Sequence, residues 1–101
     1  NPYAAYADIS WRHPDARPIF VHRLCVHPSR QGKGIAREIM LLTERIAQKR
    51  GFEVIRLDTF IDNARALRLY EGLGYTRVGE MTARKGRFPC FEKRIAQETE
   101  G

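Results

Sequence analysis

The sequence predicts a mixed α/β (α+β) domain whose elements run β-α-β-α-β-β around a mixed central sheet. Three observations predict it. Two apolar, β-branched runs, Ile19–Val26 and Val54–Phe60, flank a stretch of helical periodicity, the pattern of parallel strands joined by a helix. A shorter helical pattern follows the second run. The chain then has two strand-like segments around the basic turn Arg84-Lys85-Gly86-Arg87, the pattern of an antiparallel hairpin.

Taken in order, residues 1–18 carry the aromatics Tyr3, Tyr6 and Trp11, but Pro2, Pro14 and Pro18 interrupt regular structure. They read as a short extended piece near Tyr6–Trp11 and a loop over Arg12–Pro18. The aromatics suit either an acceptor pocket or a plug on the sheet. The first strand, Ile19–Val26, stops before Pro28. After a basic, glycine-containing loop, Ile35, Ile39, Leu42 and Ile46 recur at helical spacing, with Ala36, Met40 and Ala47 widening the apolar stripe. Lys49 and Arg50 in the last turn, then Gly51, mark the helix end. The strand Val54–Phe60 follows. Asp62-Asn63 supplies a cap for a helix over Ala64–Leu73, closed by Gly74, with Ala66, Leu67, Tyr70 and Leu73 as its buried stripe. Tyr75–Glu80 and Phe88–Ile95 are the last strands, and residues 96–101 read as a frayed tail.

A chain of 101 residues, 43% hydrophobic and 30% charged, is a single soluble domain in composition. No apolar run approaches the ~20 residues of a membrane span, and no signal-peptide layout is present, so the cytoplasm is the default compartment. Cys25 and Cys90 fit no metal-binding spacing, and no metal site is expected. Lys and Arg outnumber Asp and Glu by 18 to 12, which suits a polyanion: nucleic acid or a phosphate-rich cofactor. The positive charges are dispersed, without the aromatic interleaving that stacks single strands, so nothing beyond charge supports nucleic acid.

The most informative stretch is Val26-His27-Pro28-Ser29-Arg30-Gln31-Gly32-Lys33-Gly34-Ile35-Ala36-Arg37. A strand ends, a glycine loop turns, and a helix starts. A helix start offers unpaired N–H donors and a partial positive charge, and glycine lets an anion approach the backbone. The spacing matches neither a nucleotide-triphosphate loop nor a dinucleotide fingerprint.

In context this loop resembles a known signature. Gln31-x-x-Gly34-x-Ala36 after Leu24-Cys25-Val26 resembles the acyl-CoA motif of the GNAT N-acetyltransferase superfamily. Asn63-x-x-Ala66-x-x-Leu69-Tyr70-Glu71-x-x-Gly74-Tyr75 resembles that family's second motif, at the expected distance. In flavour the chain is similar to enzymes that acetylate the N-terminal alanine of ribosomal proteins. The resemblance implies the acyl-CoA N-acyltransferase fold, with most of its N-terminal elements missing, so the chain reads as a truncated domain. A longer protein, or a partner such as another copy, would supply the rest.

The resemblance also implies roles. Leu24, Cys25 and Val26 would face the pantetheine arm, with the Leu24 N–H near the thioester. Gln31, Gly32, Lys33, Gly34, Ile35, Ala36 and Arg37 would hold the pyrophosphate of acetyl-CoA, and Asn63 would bond the cofactor arm unless it is simply a helix cap. Tyr70 would be the general acid that protonates the leaving thiolate, unless it is a core tyrosine. Asp58, five residues before Asn63, matches a catalytic carboxylate that would take the proton of an amine acceptor. The other reading of Asp58 is an ion pair with Arg56, two residues earlier on the same strand face. His22 is a second candidate base. The implied function is acetyl transfer to a primary amine: a protein N-terminus, a lysine or a small molecule. The alternatives are an acyl-CoA-binding but inactive module and a nucleic-acid-binding domain.

Overall fold

The computed structural model describes residues 9–21 and 34–96. Its elements are β1 (Pro18–Val21), α1 (Ile35–Lys49), β2 (Val54–Asp58), α2 (Ala64–Gly72), β3 (Thr76–Ala83) and β4 (Gly86–Arg94). Among the described residues the sheet has four strands in the order β1-β2-β4-β3. β1 and β2 are parallel from Pro18↔Val54 to Val21↔Leu57. β4 lies between β2 and β3 and is antiparallel to both, so β2 and β3 run the same way. The expected element order and the terminal hairpin are therefore present.

Local chemistry accounts for the helix ends. α1 closes on Gly51, at φ +77°, with Gly51 N–H donating to Gln48 O and Phe52 N–H to Ala47 O. α2 closes the same way on Gly74, with Gly74 N–H to Glu71 O and Tyr75 N–H to Tyr70 O. This paired pattern satisfies carbonyls that the helix end leaves open, and it needs a left-handed residue after the last turn. The hairpin is longer than the sequence indicates. Pairing continues through Thr82↔Arg87 and Ala83↔Gly86, leaving Arg84 and Lys85 as the exposed turn. Arg87 belongs to the sheet, where its guanidinium holds both carboxylate oxygens of Glu80.

The sheet has two differently covered faces. On one, Ile55 and Leu57 of β2 and Phe91 of β4 pack with Met40 and Ala47 of α1, with Tyr70 of α2 and with Leu73 just after it. The other face carries Arg56, Asp58, Cys90 and Glu92, because side chains alternate along each strand and register partners share a side. An irregular arm, residues 9–17, crosses this second face. Ile9 and Cys90 are buried there, with Trp11, Phe20, Val78 and Met81 around them. The described part of the expected extended piece is instead a turn, with Trp11 N–H bonded to Ile9 O.

α1 does not bury the stripe that its sequence suggests. Met40 and Ala47 are buried, whereas Ile39, Leu42 and Ile46 are 39%, 57% and 42% exposed. The helix is rotated by about a third of a turn from its most apolar line. Two contacts explain it. Ala47 lets the helix approach the sheet closely, and Glu44 is drawn inward by Lys93 Nζ and the Tyr75 hydroxyl, both at 2.9 Å.

Candidate active site

The parallel strands direct the starts of both helices to one edge of the sheet, beyond the strands' C-terminal ends. α1 begins there at Gly34, at φ +75°, and no side chain caps it. Glu38 N–H bonds Gly34 O, so the open donors are the N–H groups of the turn before it. A β-carbon at Gly34 would meet no atom within 4 Å. Glycine is therefore favoured by the backbone angle, and among the described residues nothing fills the space beside it. Arg37 is exposed in this first turn, and Ile35 and Ala36 are half-buried. The arrangement suits a phosphate-bearing ligand. Leu24, Cys25, Val26, Gln31, Gly32 and Lys33 lie outside the described residues, as do His22, Tyr3 and Tyr6.

α2 starts differently. Asn63 Oδ1 accepts the Ala66 N–H at 3.1 Å, so the capping role read from the sequence is present. The cap uses the side-chain oxygen, and Nδ2 has no hydrogen-bond partner among the described residues. One residue thus fixes the helix and presents a donor at its exposed start.

Tyr70 is 2% exposed on the helix-covered face. Its ring lies 5.9 Å from that of Tyr75 and 5.8 Å from that of Phe91. The core role of this tyrosine is therefore present. Beside it, burial and the carboxylate of Glu44 push the Tyr75 hydroxyl well above the usual phenol range, so that Tyr75 stays protonated and donates to Glu44.

Asp58 ends β2 on the opposite, arm-covered face, one residue beyond the last described β1–β2 pair. It is 2% exposed, and its Oδ1 is buried with no hydrogen-bond partner among the described residues. Its register partner is Cys90. Burial first, and then the neighbouring Asp58 carboxylate, push the Cys90 thiol up to about 12.

The ion pair suggested between Asp58 and Arg56 is not formed. Arg56 Nε bonds Glu92 Oε2 at 2.9 Å, directly across the β2–β4 ladder, and Arg56 Nη2 donates to His13 O at 2.7 Å. Its guanidinium also stands 4.7 Å from the centre of the Trp11 ring and 5.9 Å from that of Phe20. Glu92 Oε1 accepts the N–H groups of Arg12 and His13, at 2.8 and 3.2 Å. Sequence reasoning missed this network. The opposite charges of Arg56 and Glu92 are visible in the sequence, but their register is not.

The glycine start of α1, the capping Asn63 at the start of α2 and the buried Asp58 carboxylate at the end of β2 thus all come at or after the C-terminal ends of the parallel strands. The model of the acetyltransferase (GNAT) family matches residues 3–75, and the chain belongs to that family. It is 34% identical over 80 residues to an L-methionine sulfoximine/L-methionine sulfone acetyltransferase of Salmonella typhimurium, covering 78% of this chain and 46% of that protein. It is 44% identical over 59 residues to the N-alpha-acetyltransferase RimI of Mycobacterium tuberculosis, covering 58% of this chain and 35% of that protein. A chain of the NatC complex, solved with Gag peptide and CoA, superposes with a TM-score of 0.73 at 26% identity, over 83% of this chain and 55% of that one. This chain thus spans less than half the length of these two curated relatives.

Proposed function

We propose that the protein transfers acetyl from acetyl-CoA to a primary amine by direct attack, with Gly34–Arg37 on the donor phosphates. Leu24–Val26 and the loop from Gln31 to Lys33 would complete the donor site. The observation that carries the reading is the uncapped start of α1 at Gly34, in a chain of the acetyltransferase family. Relatives named for a small amino-acid analogue and for N-terminal amines support an amine acceptor. The compartment we propose is the cytoplasm, which suits Cys90 as a free thiol. We read the chain as the donor-binding part of a larger protein or assembly, which the NatC likeness supports.

In this reading Asp58, directly or through water, takes a proton from the acceptor ammonium. The amine nitrogen then bonds to the acetyl carbonyl carbon as the carbon–sulfur bond breaks. The second nitrogen proton passes to solvent water as the amide forms, and Tyr70 protonates the CoA thiolate and regains its proton from solvent. Asp58 and Tyr70 project to opposite sides of β2, so base and acid would approach the reacting carbonyl from different faces. Release of CoA thiol against a panel of amines tests the activity. Tyr70→Phe is expected to lower kcat by about 10²-fold or more while the KM for acetyl-CoA stays within a few-fold. Unchanged kcat in that variant removes the acid role.

A further inference from the structure

Asp58 has an obvious competitor for its charge. Arg56 precedes it by two residues on the same face of β2, well within reach of an arginine side chain. A cation at that distance would hold the carboxylate as a weak base. Yet Asp58 Oδ1 has no partner among the described residues, while Arg56 bonds Glu92 and the His13 carbonyl instead. The side chains of Arg56 and Glu92 are 7% and 1% exposed.

We infer that Glu92 is a positioning residue: by holding Arg56 against β4 and the arm, it keeps the Asp58 carboxylate unpaired and able to accept a proton. The inference rests on the proposed role of Asp58 in proton transfer. Glu92 holds Arg56 Nε through one oxygen and fixes the arm through the other, which accepts Arg12 and His13 N–H. The arm returns the His13 carbonyl to Arg56 Nη2 and stacks Trp11 against the guanidinium. Three sides of the arginine are thus engaged away from Asp58.

The other groups around Asp58 do not replace this arrangement. Cys90 on β4 carries no charge near neutrality, because its thiol is pushed up to about 12. Arg12 and His13 on the arm are engaged by Glu92 through their backbone, and the Arg12 guanidinium bonds Thr76 Oγ1. β1 and β3 add the uncharged Phe20, Val78 and Met81 to this face. Glu80 on β3 is paired with Arg77 and Arg87.

The test follows the Asp58 carboxyl by ¹³C NMR as pH is varied, with Asp58→Asn assigning the signal. In Glu92→Gln, which keeps an acceptor for the arm, Arg56 loses its anion and turns to Asp58. The carboxyl midpoint is expected to fall by about one pH unit or more. The acidic limb of the kcat profile should move down with it and the plateau should drop. Arg56→Leu combined with Glu92→Gln should return the midpoint to its original value. If Glu92→Gln does not fold, Glu92→Asp, shorter by one methylene, should give a smaller shift in the same direction. An unmoved midpoint in whichever variant folds overturns the inference, as does a shift that persists in the double variant. A midpoint that moves while the kcat limb stays fixed supports the role of Glu92 and removes Asp58 as the base.

Discussion

Asp58 and Cys90 face each other across the β2–β4 ladder, and both are buried. The thiol can stay neutral, and with its pKa pushed up to about 12 it is a poor nucleophile. Its raised value means that the folded state holds the proton more tightly than the unfolded chain. The associated stability is fully present below the unfolded thiol value of about 8.5 and is lost as pH rises toward 12. Peptide mapping after iodoacetamide at pH 8 should therefore find Cys90 unmodified in folded protein and modified in denaturant. Rapid labelling of the folded state would contradict its burial. Asn63 as a helix cap and Tyr70 as a core residue were legible from the sequence, since capping and helical spacing are local. Arg56 and Glu92 were not, because a charged residue in a strand gains its meaning from the residue across the ladder. That register belongs to the β2–β4 ladder, between strands that are not consecutive in the chain, and no periodicity reports it.

The helices show the same division between local and tertiary information. Their ends were readable, because caps and glycines are local: Gly34, Asn63, Gly51 and Gly74 each stand where the sequence puts a start or a stop. The buried side of α1 was not. Apolar periodicity selects Ile39, Leu42 and Ile46, but Glu44, Lys93 and Tyr75 hold the helix at another rotation. Leu42→Glu should accordingly change stability by no more than about 0.5 kcal/mol, as at an exposed site, when measured by chemical denaturation. Met40→Ala, on the buried side, should cost about 2–5 kcal/mol. The reverse ranking would mean that the stripe, not the Glu44 side, faces the core. The arm is seated by shape as well as charge. A β-carbon at Gly79 would lie 3.3 Å from Ile9 Cδ1, so a larger residue there would press on the arm that carries Trp11 and His13.

For the whole molecule, the fold places two different surfaces at the same end of the sheet. The start of α1 has no side-chain cap, and a buried carboxylate ends β2 on the arm-covered face. Element order and hairpin were legible because local patterns and turn chemistry agree. The arm's path across the sheet was not, since residues 9–17 have no periodicity of their own and are fixed by Glu92, Glu53 and Gly79. The central claim is that the start of α1 receives acetyl-CoA, and thermal unfolding with and without ligand tests it most directly. A ligand at a hundredfold excess over its Kd stabilises by about 2.7 kcal/mol, which for a domain of this size raises Tm on the order of 10 °C. Gly34→Asn separates contact from strain, because asparagine tolerates the left-handed backbone while its side chain enters a space that no described residue fills. The account predicts a Tm rise with acetyl-CoA, none with acetate, and loss of the rise in Gly34→Asn. An unchanged Tm at saturating acetyl-CoA, or a rise that survives Gly34→Asn undiminished, would contradict it.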